Sequence, residues 1–316
     1  MAIEIEALKE YIRFNYGEPK ITYLDLYIKR VKLEIFSEEF NQYIETQIPY
    51  IVSEDTGDDH QATVVLWKEK DPKAPDVISE YDEQTDTYYY GVKDLNYEEF
   101  IKQGHFLVQI FYRILKTGNS SLVHGAVVGM DGEGVLLCAR GQRGKSTLSV
   151  LSMLNGMEYV SDDYLFLEKD DNGDVFASPI YSIITLSPFM TDKLKDKLAG
   201  TVKLGNNGRK DKYVFNISNC HGSFRKHYPI KLLMFPEIID DDEPYIREAT
   251  PAEKGRAVTQ LIHSTASQMN DTKDAATTRK LLSMANRYDC YYFGLSKDIE
   301  KNSELLKEYM KKRRYR

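Results

Sequence analysis

The first hundred residues contain runs in which apolar and polar positions alternate with the two-residue period of a β-strand. This alternation predicts one or two strands over residues 21–36, another over 62–67 and a short one over 88–92. Polar and proline-containing breaks separate the runs, as turns and loops do. The pattern therefore predicts a small N-terminal domain, β-rich with an α+β composition, over residues 1–95.

After residue 95 the apolar positions recur with the period of about 3.6 that is typical of helices. Two predicted helices open with the capping-box pattern, at Asn96 and at Thr250, because a glutamate follows three residues later in each case. Residues 291–293 predict a last strand, and apolar positions around Leu305 predict a closing helix.

Between the two capped helices, short β-branched runs predict strands over residues 122–128 and 134–139. The pair Asp131-Gly132 between them is typical of a two-residue hairpin turn. A short helix is predicted over 147–155 and a further strand over 164–168. Alternating strands and helices predict an α/β domain for the whole of residues 96–316.

The segment between the second of these strands and the short helix has the pattern of a phosphate-binding loop: Ala139-Arg140-Gly141-Gln142-Arg143-Gly144-Lys145-Ser146-Thr147. In such a loop, backbone N–H groups and the helix N-terminus surround the phosphates, and Gly144 permits their close approach. Lys145 would contact the β- and γ-phosphates, and the Ser146 hydroxyl would bind Mg²⁺. Ala139 replaces the usual first glycine, so Gly141 is the expected source of flexibility. Arg140 and Arg143 add positive charge for an anion.

Asp162 and Asp163 follow a hydrophobic run, where acids that bind Mg²⁺ or activate a nucleophile are often found. Neighbouring residues on a strand point to opposite faces. One acid is therefore expected to face the phosphates while the other supports the site, unless the strand ends there. An acidic pair on the surface is the alternative, and the apolar residues 164–167 favour a site that is partly enclosed.

Composition limits the partners of this chain. It has 42 basic and 49 acidic residues, a formal net charge of −7, so no general positive field attracts nucleic acid or an anionic membrane. Its apolar runs are far shorter than the roughly 20 residues of a membrane span, and no signal-peptide pattern is visible, so we expect a cytoplasmic protein. Cys138, Cys220 and Cys290 are too scattered for a disulfide framework or a zinc ribbon.

The segment from Ser121 to Leu167 resembles the HPr serine kinase/phosphorylase family. It combines a strand containing His124-Gly125, the hairpin, Gly144-Lys145-Ser146-Thr147 and Ser161-Asp162-Asp163 in that order. The resemblance implies a P-loop in a mixed β-sheet core of the HPr-kinase/phosphoenolpyruvate carboxykinase type. It also implies transfer of a phosphoryl group from ATP, or GTP, with Mg²⁺, to a serine hydroxyl.

The resemblance also implies roles for individual residues. Lys145 would bind the phosphates and Ser146 the Mg²⁺ ion. Asp162 would be the general base toward the acceptor hydroxyl, since a weak nucleophile needs a carboxylate within hydrogen-bond reach. Asp163 would pair with His124 or support the metal. The predicted nucleotide-binding residues are Arg140, Gly141, Gln142, Arg143, Gly144, Lys145, Ser146 and Thr147.

A basic glycine- and asparagine-rich loop over residues 204–212 is a further candidate. Arg209 and Lys210 are predicted to stabilise charge near the γ-phosphate, as an arginine finger does. A solvated surface loop is the alternative interpretation.

One departure from the family changes the expected reaction. Residues 178–186, where the family has a second acidic and arginine-containing motif, contain neither an acid nor an arginine. This argues against phosphorylase activity and against HPr as the substrate. The predicted function is an ATP-dependent kinase acting on serine in a peptide or protein. A small-molecule hydroxyl kinase and a non-catalytic nucleotide-binding regulatory protein are the alternatives, and the sequence leaves homo-oligomer formation open.

Overall fold

The computed structural model describes residues 4–27, 29–48, 51–93, 106–115, 120–139, 141, 143–194, 202–204, 212–216, 223–268 and 275–313. The chain divides into two compact units. Unit 1 contains Met1–Leu115 and Lys203–Lys212, and unit 2 contains Lys116–Val202 and Tyr213–Arg316. The domain boundary predicted at residues 95–96 lies outside the described residues and stays a prediction.

Unit 1 contains these described elements in chain order: α1 (Ile5–Tyr16), β1 (Lys20–Leu26), β2 (Lys29–Ile35), α2 (Glu38–Gln47), β3 (Ala62–Glu69), β4 (Val77–Asp82), β5 (Thr87–Lys93) and α3 (Phe106–Leu115). The strands form one mixed sheet in the order β1-β2-β3-β5-β4. Strand β3 pairs in parallel with β2 and with β5, and the two outer pairings are antiparallel.

Helices cover both faces of this sheet. Leu8 of α1 lies in one buried cluster with Tyr89 of β5. The next residue, Tyr90, points to the opposite face, where its ring contacts those of Phe40 in α2 and Phe106 in α3. The alternating pattern predicted strands in the three places where β1 and β2, β3 and β5 lie, whereas α1, α2 and β4 were not predicted.

The remaining described elements lie in unit 2, apart from residues 203–204 and 212, which belong to unit 1. In chain order they are β6 (Ser120–His124), β7 (Ala126–Met130), β8 (Glu133–Leu137), α4 (Lys145–Leu154), β9 (Glu158–Ser161), β10 (Tyr164–Lys169), β11 (Val175–Pro179), β12 (Ile183–Leu186), α5 (Pro188–Leu194), β13 (Val202–Leu204), β14 (Lys212–Asn216), β15 (Tyr228–Ile238), β16 (Tyr245–Glu248), α6 (Pro251–Gln268), α7 (Ala275–Arg287), β17 (Cys290–Leu295) and α8 (Ile299–Arg313).

A large mixed sheet organises unit 2, with the strand order β6-β10-β11-β15-β8-β7-β9. Strand β17 pairs in parallel with the second half of β15, and β16 pairs antiparallel with β17. Strand β8 is parallel to β15 and ends at Leu137, in register with Met234, while β15 continues to Ile238. Strands β12 and β14 pair antiparallel outside this sheet.

The helices of unit 2 bury apolar side chains against the sheet. Val258 and Leu261 of α6 and Leu281 of α7 belong to the same buried cluster as Val123 and Leu165 of the sheet. Helix α8 packs along α4. The expected α/β class with a mixed sheet is present, and the family type of this core stays a prediction.

Within the described ranges, no helix combines the length and apolar character that crossing a bilayer requires. Cys138 and Cys290 are buried free thiols, and Cys220 lies outside the described residues. The described part of the chain contains no group of three or more His, Cys, Asp or Glu side chains that could hold a metal ion.

Candidate functional site

The candidate phosphate loop (residues 139–147) connects β8 to α4, so a strand enters it and a helix leaves it. The Cys138 N–H donates to the Met234 carbonyl at 2.9 Å, which continues the β8–β15 pairing up to the start of the loop. The first intrahelical bond shown for α4 runs from the Leu148 N–H to the Gly144 carbonyl, at 2.8 Å. At a helix N-terminus the first N–H groups have no carbonyl partner within the helix, and such groups can bind an anion.

Gly144 is the N-cap residue of α4 and has the left-handed conformation, with φ of 87°. Residues with a Cβ rarely adopt this conformation. A Cβ at this position would also lie only 2.8 Å from the Cδ1 atom of Leu295. The left-handed φ thus favours glycine here, and the nearby Leu295 side chain adds a smaller constraint. Gly141 is exposed, and a Cβ there would meet no atom within 4 Å.

Lys145 is the first residue of α4 and is buried, with 5% of its surface exposed. Its Nζ donates to the Ala139 carbonyl at 2.7 Å, so the side chain folds back across the loop. Burial lowers the pKa of Lys145, and the negative charges of Asp163 and Asp162 oppose this shift without cancelling it. The opposition means that both carboxylates lie near enough to act on this ammonium group.

Asp162 and Asp163 form a bend, here called the acidic bend, between β9 and β10. The structure resolves the conditional prediction about opposite strand faces, because β9 ends at Ser161 and β10 begins at Tyr164. The Ser161 hydroxyl donates to the Tyr164 carbonyl at 3.1 Å, which closes the bend. Asp162 is buried and Asp163 is half-buried, so the two acids differ in access to solvent.

His124 lies at the end of β6, where it is in register with Tyr164 of β10. Its Nε2 atom is 2.9 Å from the Oδ1 atom of Asp163, and its ring stacks on Tyr164 with a centroid separation of 5.2 Å. The Gly125 N–H donates to the Asp163 carbonyl at 2.8 Å. The Asp163 side chain and backbone are thus both held by the strand that contains His124.

The structure brings together four of the residues that were predicted to form the site. These are Lys145, Asp162, Asp163 and His124, linked by electrostatic interaction and by the Asp163–His124 contact. Ser146 and Thr147 are half-buried on the first turn of α4, and Arg143 is exposed. Four other predicted residues lie outside the described residues: Arg140, Gln142, Arg209 and Lys210.

The oxygen donors of this region suit Mg²⁺. A Mg²⁺ ion at a nucleotide site is bound by one or two carboxylates together with phosphate oxygens and water, rather than by a complete protein cage. Ser146 offers a hydroxyl at the helix N-terminus, and the acidic bend offers carboxylates whose charge acts on the neighbouring Lys145. This donor set fits the ion.

Sequence reasoning missed a pocket of about 340 Å³ beside Thr147, called here the Thr147 pocket. It is lined by the first turn of α4, by residues 187–190, by Ile238 at the end of β15, and by the segment from Leu295 to Asn302. These segments are far apart in the sequence. No local motif joins them, so only the folded chain reveals the pocket.

Comparisons with known proteins show distant similarity to a solved structure. No family model matches the chain, and no curated protein matches it. Among solved structures, the chain is similar to an Hpr(Ser) kinase/phosphatase from Coxiella burnetii, at 12% sequence identity and a TM-score of 0.32. The match covers 61% of this chain and 99% of that protein.

Proposed function

We propose that the chain is a phosphotransferase that binds ATP, or GTP, with Mg²⁺ at the candidate phosphate loop. It transfers the γ-phosphate to a hydroxyl group, foremost that of a serine in a peptide or protein. One observation carries the proposal: the buried Lys145 begins a helix beside the acidic bend, and both carboxylates act on it. An anion site next to a carboxylate base is the combination that phosphoryl transfer to a hydroxyl requires.

The binding half of the site is the N-terminus of α4. Its first N–H groups and the positive end of the helix dipole favour phosphate oxygens. The Lys145 ammonium exchanges the Ala139 carbonyl for a phosphate oxygen when the nucleotide binds. That exchange replaces a neutral acceptor by a charged one, and charge-assisted hydrogen bonds are roughly twice as strong as neutral ones.

The transfer half is the acidic bend. As the acceptor oxygen forms its bond to the γ-phosphorus, Asp162 takes the hydroxyl proton. The bond between the γ-phosphorus and the bridging oxygen then breaks, and the nucleoside diphosphate leaves. Asp163 is oriented by His124, 2.9 Å away, and would hold Mg²⁺ together with Ser146. Bound Mg²⁺ supplies neutralisation of the phosphate charge.

The choice of serine as acceptor depends on the resemblance of residues 121–167 to the HPr serine kinase family. The site geometry supports a hydroxyl acceptor more generally, because a positioned carboxylate removes the proton of any alcohol in the same way. A free hydroxyl metabolite is thus the second acceptor class. The half-buried Asp163 and the exposed Arg143 leave this side of the loop open to solvent.

The test uses the full chain, γ-labelled ATP and fractionated cell lysate. Label in protein or peptide fractions is the expected result. Label only in a small molecule other than ATP and inorganic phosphate would establish the metabolite kinase instead. Lys145→Ala is expected to weaken ATP binding by about 100-fold, the effect of losing one charged hydrogen bond. Asp162→Asn is expected to retain binding and lose transfer by at least about 100-fold.

Two exposed residues provide matched controls, Lys312→Ala for the lysine and Asp171→Asn for the acid. Neither substitution is expected to change binding or transfer. Full transfer by Asp162→Asn would refute the assignment of the base. Tight ATP binding without transfer to any fraction would identify a regulatory nucleotide-binding protein.

A further inference from the structure

The Thr147 pocket joins directly to the first turn of α4. Gly144, Thr147 and Leu148 line one of its walls, and they have the i, i+3, i+4 spacing of a single helix face. Lys145 and the acidic bend do not line the pocket. The two ends of the site thus lie on different sides of the same helix terminus, one charged and one mainly apolar.

The remaining walls of the pocket are mostly apolar. Met190 of α5 and Leu295 of β17 are buried, while Phe189 and Ile238 expose 67% and 53% of their surface. Large apolar side chains exposed around one concave site are typical of ligand pockets. An aromatic ring such as that of Phe189 offers a face on which a flat heterocycle stacks.

Several polar groups in the lining have partners within the protein. The Ser296 N–H donates to the Asn302 Oδ1 at 2.9 Å, and the Asn302 Nδ2 donates to the Ser296 carbonyl at 3.1 Å. The Ser187 hydroxyl accepts from the Met190 N–H at 3.4 Å. The Lys297 ammonium pairs with Asp240 at 2.5 Å. These contacts close the loop before α8 and begin α5.

We infer that the Thr147 pocket holds the base and ribose of the nucleotide, and that it distinguishes adenine from guanine by less than about tenfold. The inference rests on the proposed function, since the phosphates must lie on the candidate phosphate loop. With the γ-phosphate between Lys145 and the acidic bend, the phosphate chain runs along the helix terminus toward Thr147. The nucleoside then enters the pocket, whose volume is at the small end of the roughly 300–1,000 Å³ of ligand sites.

Weak discrimination follows from the engaged polar lining. Adenine and guanine differ in the donors and acceptors at their edges, and a site rejects one of them strongly only when its buried polar groups are left unpaired by the wrong base. Ser296, Asn302 and Ser187 already have partners within the protein. Stacking and apolar contact remain, and these tolerate any base.

The experiment measures binding of ATP, GTP and inorganic tripolyphosphate to the full chain by titration calorimetry. We expect ATP and GTP affinities within about tenfold of each other, because an apolar pocket discriminates weakly. In Phe189→Ala, both nucleotides are expected to bind about tenfold more weakly, the loss of one base–aromatic stacking contact, while tripolyphosphate binding is unchanged. The control is Phe14→Ala, which removes a ring that is 89% exposed in unit 1.

Several outcomes would overturn the inference. Unchanged nucleotide binding in both Phe189→Ala and Ile238→Ala would mean that the base lies elsewhere. A preference for one purine well above tenfold in the wild type would refute weak discrimination. In these cases Lys145→Ala still weakens tripolyphosphate binding, and the proposed function stands. If the wild type binds neither nucleotide nor tripolyphosphate, both proposals fail.

Discussion

Each unit buries a charged side chain, Glu69 in unit 1 and Lys145 in unit 2. The surroundings of these two groups shift their pKa values in different ways. In unit 1, Glu69 is 3% exposed. Its Oε1 atom accepts from the hydroxyls of Tyr11 and Tyr16 and from the N–H groups of Lys70 and Asp71, and its Oε2 accepts from the Trp67 indole. Burial alone would raise the pKa of Glu69, yet these donors lower it.

In unit 2, Lys145 is 5% exposed, and the nearby negative charges do not fully offset the effect of burial on its pKa. Burial lowers its pKa, and the charges of Asp163 and Asp162 offset only part of that shift. The charged form of Lys145 therefore destabilises the folded chain relative to the unfolded one. Under the proposed function, a bound polyphosphate adds negative charge beside this lysine.

The comparison separates two uses of a buried charge. A carboxylate with five donors holds together α1, the end of β3 and the turn after it, and it has no capacity for a ligand. For Lys145, the neighbouring carboxylates only partly offset the pKa effect of burial, and an anion that binds nearby would stabilise its charged form further. Natural proteins often carry such locally unfavourable groups at functional sites.

The largest expected effect is that of Glu69→Gln. The substitution keeps the shape but removes the charge, and it directs an amide donor toward other donors. We expect unit 1 to lose about 2–4 kcal/mol of its free energy of unfolding, because buried donors lose their partner. Urea unfolding followed by tryptophan fluorescence measures this, since Trp67 is the only tryptophan of the chain and lies in the cluster.

The pH dependence of stability tests the contribution of the Glu69 charge independently. The folded-state pKa of Glu69 is lowered, so its contribution to stability is present above the unfolded pKa and is lost as pH falls toward the lowered value. Glu69→Gln is therefore expected to flatten the loss of unit 1 stability below about pH 4.5, the usual region for a glutamate. The control is Glu38→Gln on the exposed side of α2. Equal stabilities for the two variants would show that Glu69 is not the organising charge.

Gly144→Ala has the next largest expected effect, and it tests whether backbone geometry positions Lys145. The added Cβ faces a left-handed φ and the Leu295 side chain at 2.8 Å. We expect about 1–3 kcal/mol of destabilisation in unit 2, and at least tenfold weaker ATP binding, because the loop must shift. Amide hydrogen exchange of α4 and calorimetric titration measure the two effects.

Gly141→Ala is the matched control, because the same added methyl group meets no atom within 4 Å. It is expected to retain stability, because no atom obstructs the added methyl group. If the two alanine variants behaved alike, the left-handed N-cap would have no special part in the site. The difference between Glu69 and Lys145 would then lie in their side-chain surroundings and not in backbone geometry.

Local features of the fold could be predicted from sequence because they depend on neighbouring residues. Asp131 and Gly132 have φ values of 53° and 84°, which the predicted hairpin turn requires. In the predicted capping box, the Thr250 N–H donates to Glu253 at 2.9 Å, and the Glu253 N–H donates to the Thr250 hydroxyl at 3.3 Å. Both predictions are confirmed.

Helix α2 was missed although a local signal exists. Ser37 precedes it, and its hydroxyl accepts from the Phe40 N–H at 3.4 Å, which identifies Ser37 as the N-cap. The polar residues of α2 masked its apolar spacing. The sequence predicted which residue types form the candidate site. The contact of Asp163 with His124 could not be predicted, because it depends on the pairing of β6 with β10. The Thr147 pocket and the five donors around Glu69 arise from distant segments, which sequence patterns do not relate.

The smallest expected effect on stability is that of Lys145→Met. Whether the free energy of unfolding falls or does not fall shows whether Lys145, like Glu69, stabilises the fold. Methionine fills similar space without the buried charge, so nucleotide-free unit 2 is expected to be no less stable than the wild type, while ATP affinity falls about 100-fold. The unfolded chain binds the Lys145 proton more tightly than the folded chain does. Wild-type stability is therefore expected to rise with pH between the lowered pKa and about 10.5.

Lys145→Met should lack this rise. Urea unfolding followed by circular dichroism at pH 8 and pH 10 measures it. The control is the exposed Lys312→Met. A clear loss of stability in Lys145→Met alone would mean that this lysine, like Glu69, serves the fold.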